Sequence, residues 1–340
     1  MKTTLETISR TTGFSKSTIS RVLNGKAFLN RIPATTVESI LTAAKECGYT
    51  PNLVAHNLRS NKTNTIGLLI PSIANPYFAD IASVVIAEAQ RIGYTTIVTD
   101  TMEDSRIQDA SVTTLISRMV DGIIIVPCGD NPKFLEQTNE RCMPVVLIDR
   151  YYENSTLPYV VTNNFQGGYY ATNFLIKNGH SDIACIQGSP SATPNKKRIE
   201  GYLSALEEAG IRDKAIIVGN DFSSQNGYLE TKLLLNEEKH PSAIFALSNT
   251  IGLGAIKAIR EAGLKIPDDI SIISFDNNLY LDYFTPPVTR IGQMVDEMGK
   301  MAVKLIHESI SNHRIVTSQI ELSPEIVLRE SVTPRINPLG

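Results

Sequence analysis

Four polar residues near the N-terminus have a spacing that suits the recognition of an anionic partner. Lys16 and Ser20 are four residues apart, and so are Ser17 and Arg21. On a helix this spacing places all four on one polar surface. Lys and Arg donate hydrogen bonds to guanine acceptors, and Ser bonds to bases or phosphates. The pattern favours a helix that reads DNA, although a helical hairpin with a solvated polar face has the same spacing.

A second set of polar and aromatic residues falls where strands end or helices begin further along the chain. Aspartate and arginine together make charge-assisted hydrogen bonds, which suit a polyhydroxylated ligand, and an aromatic ring supplies a stacking face. Taken singly, such an Asp is a turn or capping residue, such an Arg a surface ion pair and such a Phe a core residue. As a set at one sheet edge they suit a ligand site, and the family resemblance described below favours that interpretation. The candidates are Tyr77, Phe78, Asp149, Arg198, Phe222, Asn249 and Asp276.

Three short helical patterns must position the first set. One helix runs from Leu5 to about Thr12 and is followed by a turn at Gly13. Ser15 is a good N-cap for a second helix over Lys16–Leu23, which Asn24-Gly25 ends. Two short helices joined by a tight turn make a helix-turn-helix, whose second helix enters the major groove. A third helix, about Thr35–Cys47, closes a small core.

From Thr63 onward, apolar strands alternate with amphipathic helices. Runs such as Thr65–Ile70 are typical of buried parallel strands, and the pattern restarts at Gly167. Repeated strand–helix units build open parallel sheets with helices on both faces, so two sets predict two similar subdomains. Such sheets bind ligands at the carboxyl ends of their strands. A late helix, about Val295–Ser311, is expected to pack back on the first subdomain.

The 340 residues are 42% hydrophobic and 20% charged, as in an ordinary soluble globular protein. The apolar runs are far shorter than the ~20 residues of a membrane span. The N-terminus lacks the apolar core of a signal peptide, so we expect a cytoplasmic location. The net charge is −3, yet residues 1–62 carry nine Lys and Arg against three Glu. A basic head on an acidic body favours an anionic partner at one end.

No spacing in the chain predicts catalysis. Gly252-x-Gly254 lacks the third glycine of a dinucleotide fingerprint, and neither a phosphate-binding loop nor a Gly-x-Ser-x-Gly elbow occurs. The four cysteines, at positions 47, 128, 142 and 185, form no Cys-x-x-Cys pair and are interpreted as reduced structural thiols. We therefore expect no enzymatic activity, no cofactor and no metal.

The head resembles the LacI/GalR, or lactose-repressor, family of bacterial transcription regulators. In the head, the resemblance rests on the run from Ser15 to Gly25, on Gly48-Tyr49-Thr50-Pro51-Asn52 and on Ala55-x-x-Leu58. In the body, it rests on Asn75–Phe78, Val120–Ile124, Arg198-x-x-Gly201-Tyr202, Ser274–Asp276 and Thr285–Pro287. One departure is that the stretch from Asn24 to Tyr49 is longer than usual in the family, with the excess near Asn30–Ile32.

The resemblance implies an α/β protein in which a three-helix head precedes a body similar to periplasmic sugar-binding proteins. It implies a DNA-binding domain at residues 1–49, a hinge helix and linker at 50–63, and an effector-binding and dimerisation domain at 64–340. Within that domain we expect an N-subdomain at about 64–162 and 293–321, and a C-subdomain at about 163–290 and 323–335.

The resemblance also implies roles for individual residues. Lys16, Ser17 and Arg21 would read operator bases, and Leu58 would enter the minor groove together with its dimer mate. An apolar wedge of this kind unstacks a base step and bends the DNA. The whole DNA-binding set is Ser15, Lys16, Ser17, Thr18, Ser20, Arg21, Asn24, Asn52, Ala55 and Leu58. Six of the seven cleft candidates named above match positions where family members contact their effectors, and the seventh, Tyr77, is a candidate stacking face beside Phe78 and Phe222.

The function we expect is that of a ligand-responsive transcriptional regulator, most simply a repressor. It would bind a palindromic operator as a homodimer, with its DNA affinity controlled by a small sugar in the cleft between subdomains. One alternative is a regulator that responds to a purine or nucleoside. Others are a regulator whose cleft binds no effector, and a sugar-transport receptor with no DNA role. No C-terminal Leu heptad of the kind that makes some relatives tetramers is present, which favours a dimer.

Overall fold

The computed structural model describes residues 4–23, 25–49, 62–141, 143–312 and 316–335. The chain forms two compact units, Met1–Thr63 and Asn64–Gly340. Four of the predicted DNA-contacting residues lie outside the described ranges: Asn24, Asn52, Ala55 and Leu58. Within those ranges, no helix combines the length and the apolar character needed to cross a membrane.

The described residues of the first unit form the helices α1 (Leu5–Thr12), α2 (Lys16–Leu23) and α3 (Ala34–Glu46), with a 3-10 turn at Phe28–Asn30. Helix α1 ends at Gly13, whose φ of 74° lies in the left-handed region that glycine adopts without strain. One apolar side chain from each helix is fully buried, and the three form the centre of the core: Ile8, Ile19 and Ile40. The predicted helix-turn-helix is confirmed.

The second unit begins with β1 (Thr65–Ile70), α4 (Pro76–Arg91), β2 (Thr95–Asp100), α5 (Ser105–Ser117), β3 (Gly122–Ile125), α6 (Lys133–Glu140), β4 (Val145–Ile148) and β5 (Tyr159–Thr162). It continues with α7 (Asn164–Lys177), β6 (Ile183–Ile186), α8 (Thr193–Glu208), β7 (Ile216–Val218), α9 (Ser224–Leu235), β8 (Ala243–Ala246), α10 (Asn249–Glu261), β9 (Ser271–Phe275) and β10 (Thr289–Gly292). The remaining elements are α11 (Val295–Asn312), β11 (Gln319–Leu322) and β12 (Glu325–Val327).

These strands form two six-stranded sheets. The first has the order β11-β5-β4-β3-β1-β2, and the second has the order β12-β10-β9-β8-β6-β7. All neighbours pair in parallel except β10 and β12, which are antiparallel. Helix α11 packs on the first sheet through buried residues such as Met298 and Ile306, as predicted. The expected α/β fold with two parallel-sheet subdomains is confirmed.

Several short elements have no counterpart in the sequence prediction: α6, β5, β10, β11 and β12. Strands β11 and β12 are only half-buried, and β12 has three residues. Such segments are too short for their hydrophobic period to distinguish a strand from a loop. Pairing of β11 with β5, and of β12 with β10, determines the conformation of these two strands.

Glycines bring α7 and α8 unusually close together in the second unit. A Cβ placed on Gly168 of α7 would lie 2.1 Å from the carbonyl oxygen of Arg198 on α8. A Cβ on Gly201 of α8 would lie 2.1 Å from the carbonyl oxygen of Phe165. Any side chain at either position would force the helices apart, so these glycines place Arg198 within reach of α7.

Candidate functional site

The polar surface of α2 is present as predicted. Lys16, Ser17 and Arg21 are exposed, whereas Ile19 and Val22 on the other side are buried in the core. Ser15 Oγ accepts a hydrogen bond from the backbone N–H of Thr18 at 3.2 Å, which is the geometry of an N-cap. The helix therefore presents a basic, hydroxyl-bearing face with its N-terminus fixed by Ser15.

Lys16 is already paired within the head. Its ammonium forms an ion pair with Glu6 of α1, and this contact lowers the pKa of the Glu6 carboxyl. Both groups are largely exposed, so the pair is screened by solvent and contributes little to stability. Little free energy is therefore needed to separate Lys16 from Glu6.

In the second unit, two adjoining cavities lie where the carboxyl ends of the strands meet. The inner one has a volume of about 30 Å³ and the outer one about 600 Å³. Residues from both halves of the unit line the inner cavity: Asn75, Tyr77, Phe78, Asp149, Arg150, Pro194, Arg198, Phe222, Ser248 and Asp276. Four of them also line the outer cavity: Asn75, Phe78, Arg150 and Phe222. We call the two cavities together the cleft.

Asp149 and Asp276 occupy equivalent places in the two sheets. Asp149 follows β4 and Asp276 follows β9, and both have left-handed backbones, with φ of 67° and 74°. Residues other than glycine seldom adopt this conformation, and such strain concentrates at functional sites. The turns aim one carboxylate from each sheet into the cleft.

The Asp149 carboxylate is buried against aromatic and cationic neighbours. Tyr77 Oη donates a hydrogen bond to its Oδ1 at 2.5 Å, and Arg150 Nε lies 4.0 Å from its Oδ2. Burial raises the pKa of Asp149, and burial also raises the pKa of Tyr77 well above its usual value. Tyr77 therefore remains a hydrogen-bond donor, and its hydroxyl keeps the carboxylate in place.

The Asp276 carboxylate is held by two donors. The backbone N–H of Asn249 donates to Oδ2 at 3.1 Å, and Gln293 Nε2 donates to Oδ1 at 2.7 Å. Burial raises the pKa of Asp276, while Arg198 and these two donors oppose that rise. The result is a fixed, buried acceptor.

Arg198 is a buried cation that lines the same inner cavity as these carboxylates. Its Nε donates to Asn164 Oδ1 at 2.8 Å, and its Nη1 donates to the Leu247 carbonyl at 2.6 Å. The guanidinium carbon lies 3.6 Å from the centre of the Phe275 ring, a cation–π contact. Burial lowers the pKa of Arg198, and Asp276 and Asp149 counteract that effect. The sequence placed this residue at a helix start, whereas it lies in the second turn of α8.

The structure brings six of the seven cleft candidates together on the lining of the inner cavity: Tyr77, Phe78, Asp149, Arg198, Phe222 and Asp276. Asn249 lines neither cavity. It is fully buried behind Asp276, and its side-chain amide donates to Asn278. Its position indicates support for Asp276 rather than direct exposure to a ligand.

Sequence reasoning missed several lining residues. Arg150 is the most prominent, because its guanidinium lies 5.6 Å from the Phe78 ring centre and 5.9 Å from that of Phe222. Its position directly after Asp149, at a strand end, was an available signal. Also missed were Asn75, Ser248, Thr250 and Glu103. Among the described residues, no group of three His, Cys, Asp or Glu is placed to hold a metal ion.

Two family models match separate parts of the chain. Residues 4–52 match the model of bacterial regulatory proteins of the lacI family. Residues 172–332 match a periplasmic binding protein-like domain. The first match covers the helix-turn-helix, and the second covers strands β6–β12 with five of the ten residues that line the inner cavity.

Curated relatives align along almost the whole chain. The HTH-type transcriptional regulator DegA of Bacillus subtilis is 34% identical over 338 residues, covering 98% of this chain and 99% of that protein. The HTH-type transcriptional repressor PurR of Vibrio campbellii is 34% identical over 333 residues, covering 97% and 98%. These relatives are transcriptional regulators rather than enzymes.

Solved structures agree in fold. The Lac repressor dimer bound to operator and the anti-inducer ONPF superposes with a TM-score of 0.89 at 25% identity, covering 98% of this chain and 100% of that one. A LacI-family regulator from Enterococcus faecium with bound ribose has a TM-score of 0.74 at 30% identity, covering 80% and 100%. The chain therefore belongs to the LacI family of bacterial transcriptional regulators.

Proposed function

We propose that this regulator is a repressor that binds a palindromic operator as a homodimer and is controlled by a neutral sugar bound in the cleft. The observation that carries the sugar assignment is the pair of buried carboxylates, Asp149 and Asp276, which line the inner cavity together with Arg198. A regulator that acts on bacterial DNA works in the cytoplasm, which is the location we propose.

The proposed division of labour follows the domain boundaries expected from the sequence. Residues 1–49 read one operator half-site, residues 50–63 form the hinge, and residues 64–340 bind the effector and dimerise. Lys16, Ser17 and Arg21 are exposed on α2, the helix that enters the major groove in this motif. The predicted DNA contacts of Ser15, Thr18 and Ser20 fall on the same helix or its cap.

The chemistry of the cleft matches a polyhydroxylated ring. Sugar hydroxyls donate to the oxygens of Asp149 and Asp276 and accept from arginine, and charge-assisted hydrogen bonds are stronger than neutral ones. The rings of Phe78 and Phe222 line the same cavity and offer apolar faces to the C–H side of a sugar. The related regulator from Enterococcus faecium has ribose bound, which supports a pentose or hexose as the first choice.

A purine is the second candidate, because PurR repressors are relatives with 34% identity and because a planar base would stack on the same phenyl rings. A base offers few hydroxyl donors for two aspartates. The buried acidic pair is therefore the feature that favours the sugar.

A thermal-shift screen of the full chain tests the proposal. The panel comprises monosaccharides, disaccharides, sugar phosphates, nucleosides and purine bases. A ligand that binds only the native state raises its apparent stability by mass action, about 2.7 kcal/mol at one hundred times Kd. Hits would then be added to the operator complex to see whether DNA is released.

A neutral sugar that stabilises the protein and changes operator affinity supports the proposal. Stabilisation by a purine but by no sugar would contradict the sugar proposal and support a purine as the effector. Retention on operator DNA by the full chain, but not by a chain that starts at Asn64, supports the role of the head. Equal retention of both would contradict that role.

A further inference from the structure

Glu103 and Arg150 form a two-point ion pair at the junction of the two cavities. Arg150 Nη1 donates to Glu103 Oε2 at 2.7 Å, and Arg150 Nη2 donates to Oε1 at 2.8 Å. The Arg150 side chain is 9% exposed, whereas that of Glu103 is 46% exposed. The guanidinium that approaches both Phe78 and Phe222 therefore already has a carboxylate partner on its solvent side.

The backbone that carries Glu103 is strained and held in place. Met102 and Glu103 are consecutive residues with left-handed φ angles of 52° and 56°. Asp100 stabilises the turn, because its carboxylate accepts from the backbone N–H of Met102 and of Ile73, both at 2.8 Å. Non-glycine residues persist in this conformation only where the surroundings impose it, and such strain concentrates at ligand clamps. The turn fixes the Glu103 carboxylate against Arg150.

The charges of the residues that line the cleft determine how an anionic group on a ligand would be received there. Among the described residues lining the outer cavity, Arg150 is the only cation, and Glu103 and Asp221 are the carboxylates. The other lining groups are mainly hydroxyls, amides and aromatic rings. The inner cavity adds Arg198, but also Asp149 and Asp276. A phosphate or carboxylate on a ligand would meet a net negative lining whose outer cation is already neutralised.

We propose that Glu103 is a specificity-determining residue that makes the cleft select neutral sugars and reject their phosphorylated derivatives. It acts as a positioning residue through Arg150, which it holds beside the Phe78 and Phe222 rings with both of its terminal nitrogens engaged. The inference rests on the proposed sugar effector and adds to it the charge class of the ligand. Removal of the Glu103 charge frees a guanidinium fork, which binds phosphate in the two-point geometry that arginine favours.

Calorimetric titration of the full-length protein tests this role. The probes are D-ribose with D-ribose 5-phosphate, and D-glucose with D-glucose 6-phosphate. The measured quantity is the ratio of the Kd of each phosphate ester to that of its parent sugar. In the wild type we expect the parent sugar to bind more tightly. In Glu103→Gln the ratio should fall by about tenfold or more, the size of effect expected for a hydrogen bond to a charged group.

Two further variants separate the ion pair from simple charge removal and from misfolding. Asp221→Asn removes a carboxylate from the same cavity without touching Arg150, and it should lower the ratio far less than Glu103→Gln. Glu103→Asp keeps the charge and should largely restore the wild-type preference. This rescue would not follow if Glu103 only supported the fold, and melting temperatures show that each variant is folded.

The outcomes distinguish the two proposals. A wild type that binds none of the four probes and no neutral sugar of the thermal-shift panel contradicts the sugar effector and the Glu103 role together. A wild type that binds a neutral sugar, with the same ratio in Glu103→Gln, overturns the role of Glu103 alone. Equal effects of Asp221→Asn and Glu103→Gln on the Kd ratio would also overturn the role of Glu103. The total negative charge of the cavity, rather than the Glu103–Arg150 ion pair, would then determine the preference for the neutral sugar.

Discussion

Asn278 joins the two halves of the effector-binding unit by donating its side-chain amide to Asp80 Oδ2 at 2.9 Å. Asp80 lies on α4, which packs on the first sheet, and Asn278 follows β9 of the second sheet. The side-chain oxygen Oδ1 of Asn278 accepts a hydrogen bond from the side-chain amide of Asn249, whose backbone N–H donates to Asp276 Oδ2 at 3.1 Å. A continuous chain of hydrogen bonds thus runs from a cleft carboxylate to a helix of the other half.

This connection predicts that Asp80→Ala weakens the response to ligand. The substitution removes the hydrogen bond between Asp80 and Asn278, which joins the two subdomains. A higher ligand concentration is then needed to change the operator affinity, by a factor within the usual coupling range of about 5 to 150. Fluorescence anisotropy with labelled operator, titrated with ligand, measures the shift. Glu88→Ala is the matched control, because Glu88 lies on the same helix and forms its ion pair with Arg91 of that helix. An equal shift in both variants would contradict a role for the Asp80–Asn278 bond.

Asp276→Ala should abolish ligand binding while leaving the operator affinity of the ligand-free protein in place. The substitution removes a buried acceptor and leaves the donors of Asn249 and Gln293 without a partner. Loss of one member of a buried charged hydrogen-bond set costs about 2–5 kcal/mol of binding. Calorimetric titration with the best ligand of the thermal-shift screen measures it. Ligand affinity equal to that of the wild type would remove Asp276 from the site.

Arg21→Ala should weaken binding to the specific operator by roughly 1–3 kcal/mol and weaken nonspecific binding less. Arg21 is exposed on α2, the helix expected to meet base edges. Gel-shift titrations with operator and with scrambled DNA at the same salt concentration give both values. Arg10→Ala is a suitable control, since Arg10 is an exposed cation of α1 that pairs with Glu6. Equal loss on both DNAs would contradict base reading by Arg21.

The effector-binding unit should lose stability as the pH falls below about 6.5, partly because of His180. Burial lowers the pKa of His180, whose Nδ1 lies 3.0 Å from Ser242 Oγ and whose Nε2 lies 3.2 Å from the Thr333 carbonyl. Below 6.5 the unfolded chain therefore binds more protons at this position than the folded chain, so the free energy of unfolding decreases with acidification. The contribution of neutral, buried His180 to the free energy of unfolding is fully present well above pH 6.5.

Urea unfolding followed by circular dichroism between pH 5.5 and 7.5 measures this dependence. His180→Gln keeps a polar group at the position but cannot take up the proton, so its free energy of unfolding should vary less with pH. An identical pH dependence in the variant and the wild type would show that other groups carry it.

Much of the fold could be predicted because its signals are local. Gly13 and Ser15 determine the turn and the cap of the helix-turn-helix, and the boundaries of α1 and α2 agree with the prediction. Long buried runs such as β1 were equally clear. The edge strands β11 and β12 were missed because their few half-buried residues acquire a strand conformation only by pairing with residues elsewhere in the chain.

In the candidate site, too, some residues could be predicted from the sequence, whereas their partners could not. Asp149 and Asp276 were selected because they follow strands, where parallel sheets collect ligand groups, and Arg198 because it lies near a helix start, in each case together with the family resemblance. Which neighbours hold them was not predictable. Gln293 is 17 residues from Asp276 and Glu103 is 47 residues from Arg150, and no local spacing connects such pairs.

By itself, the sequence determined the family through its motifs, and it determined the longer helices and strands and the chemical character of the two binding surfaces, since caps, turns and hydrophobic periods act over a few residues. Only the tertiary structure decided that Asn249 supports Asp276 from behind and that Arg150 lies beside two phenyl rings. Only the tertiary structure places Glu103 on that guanidinium. These relationships depend on where strands and helices far apart in the chain meet, which is a property of packing rather than of local conformational preference.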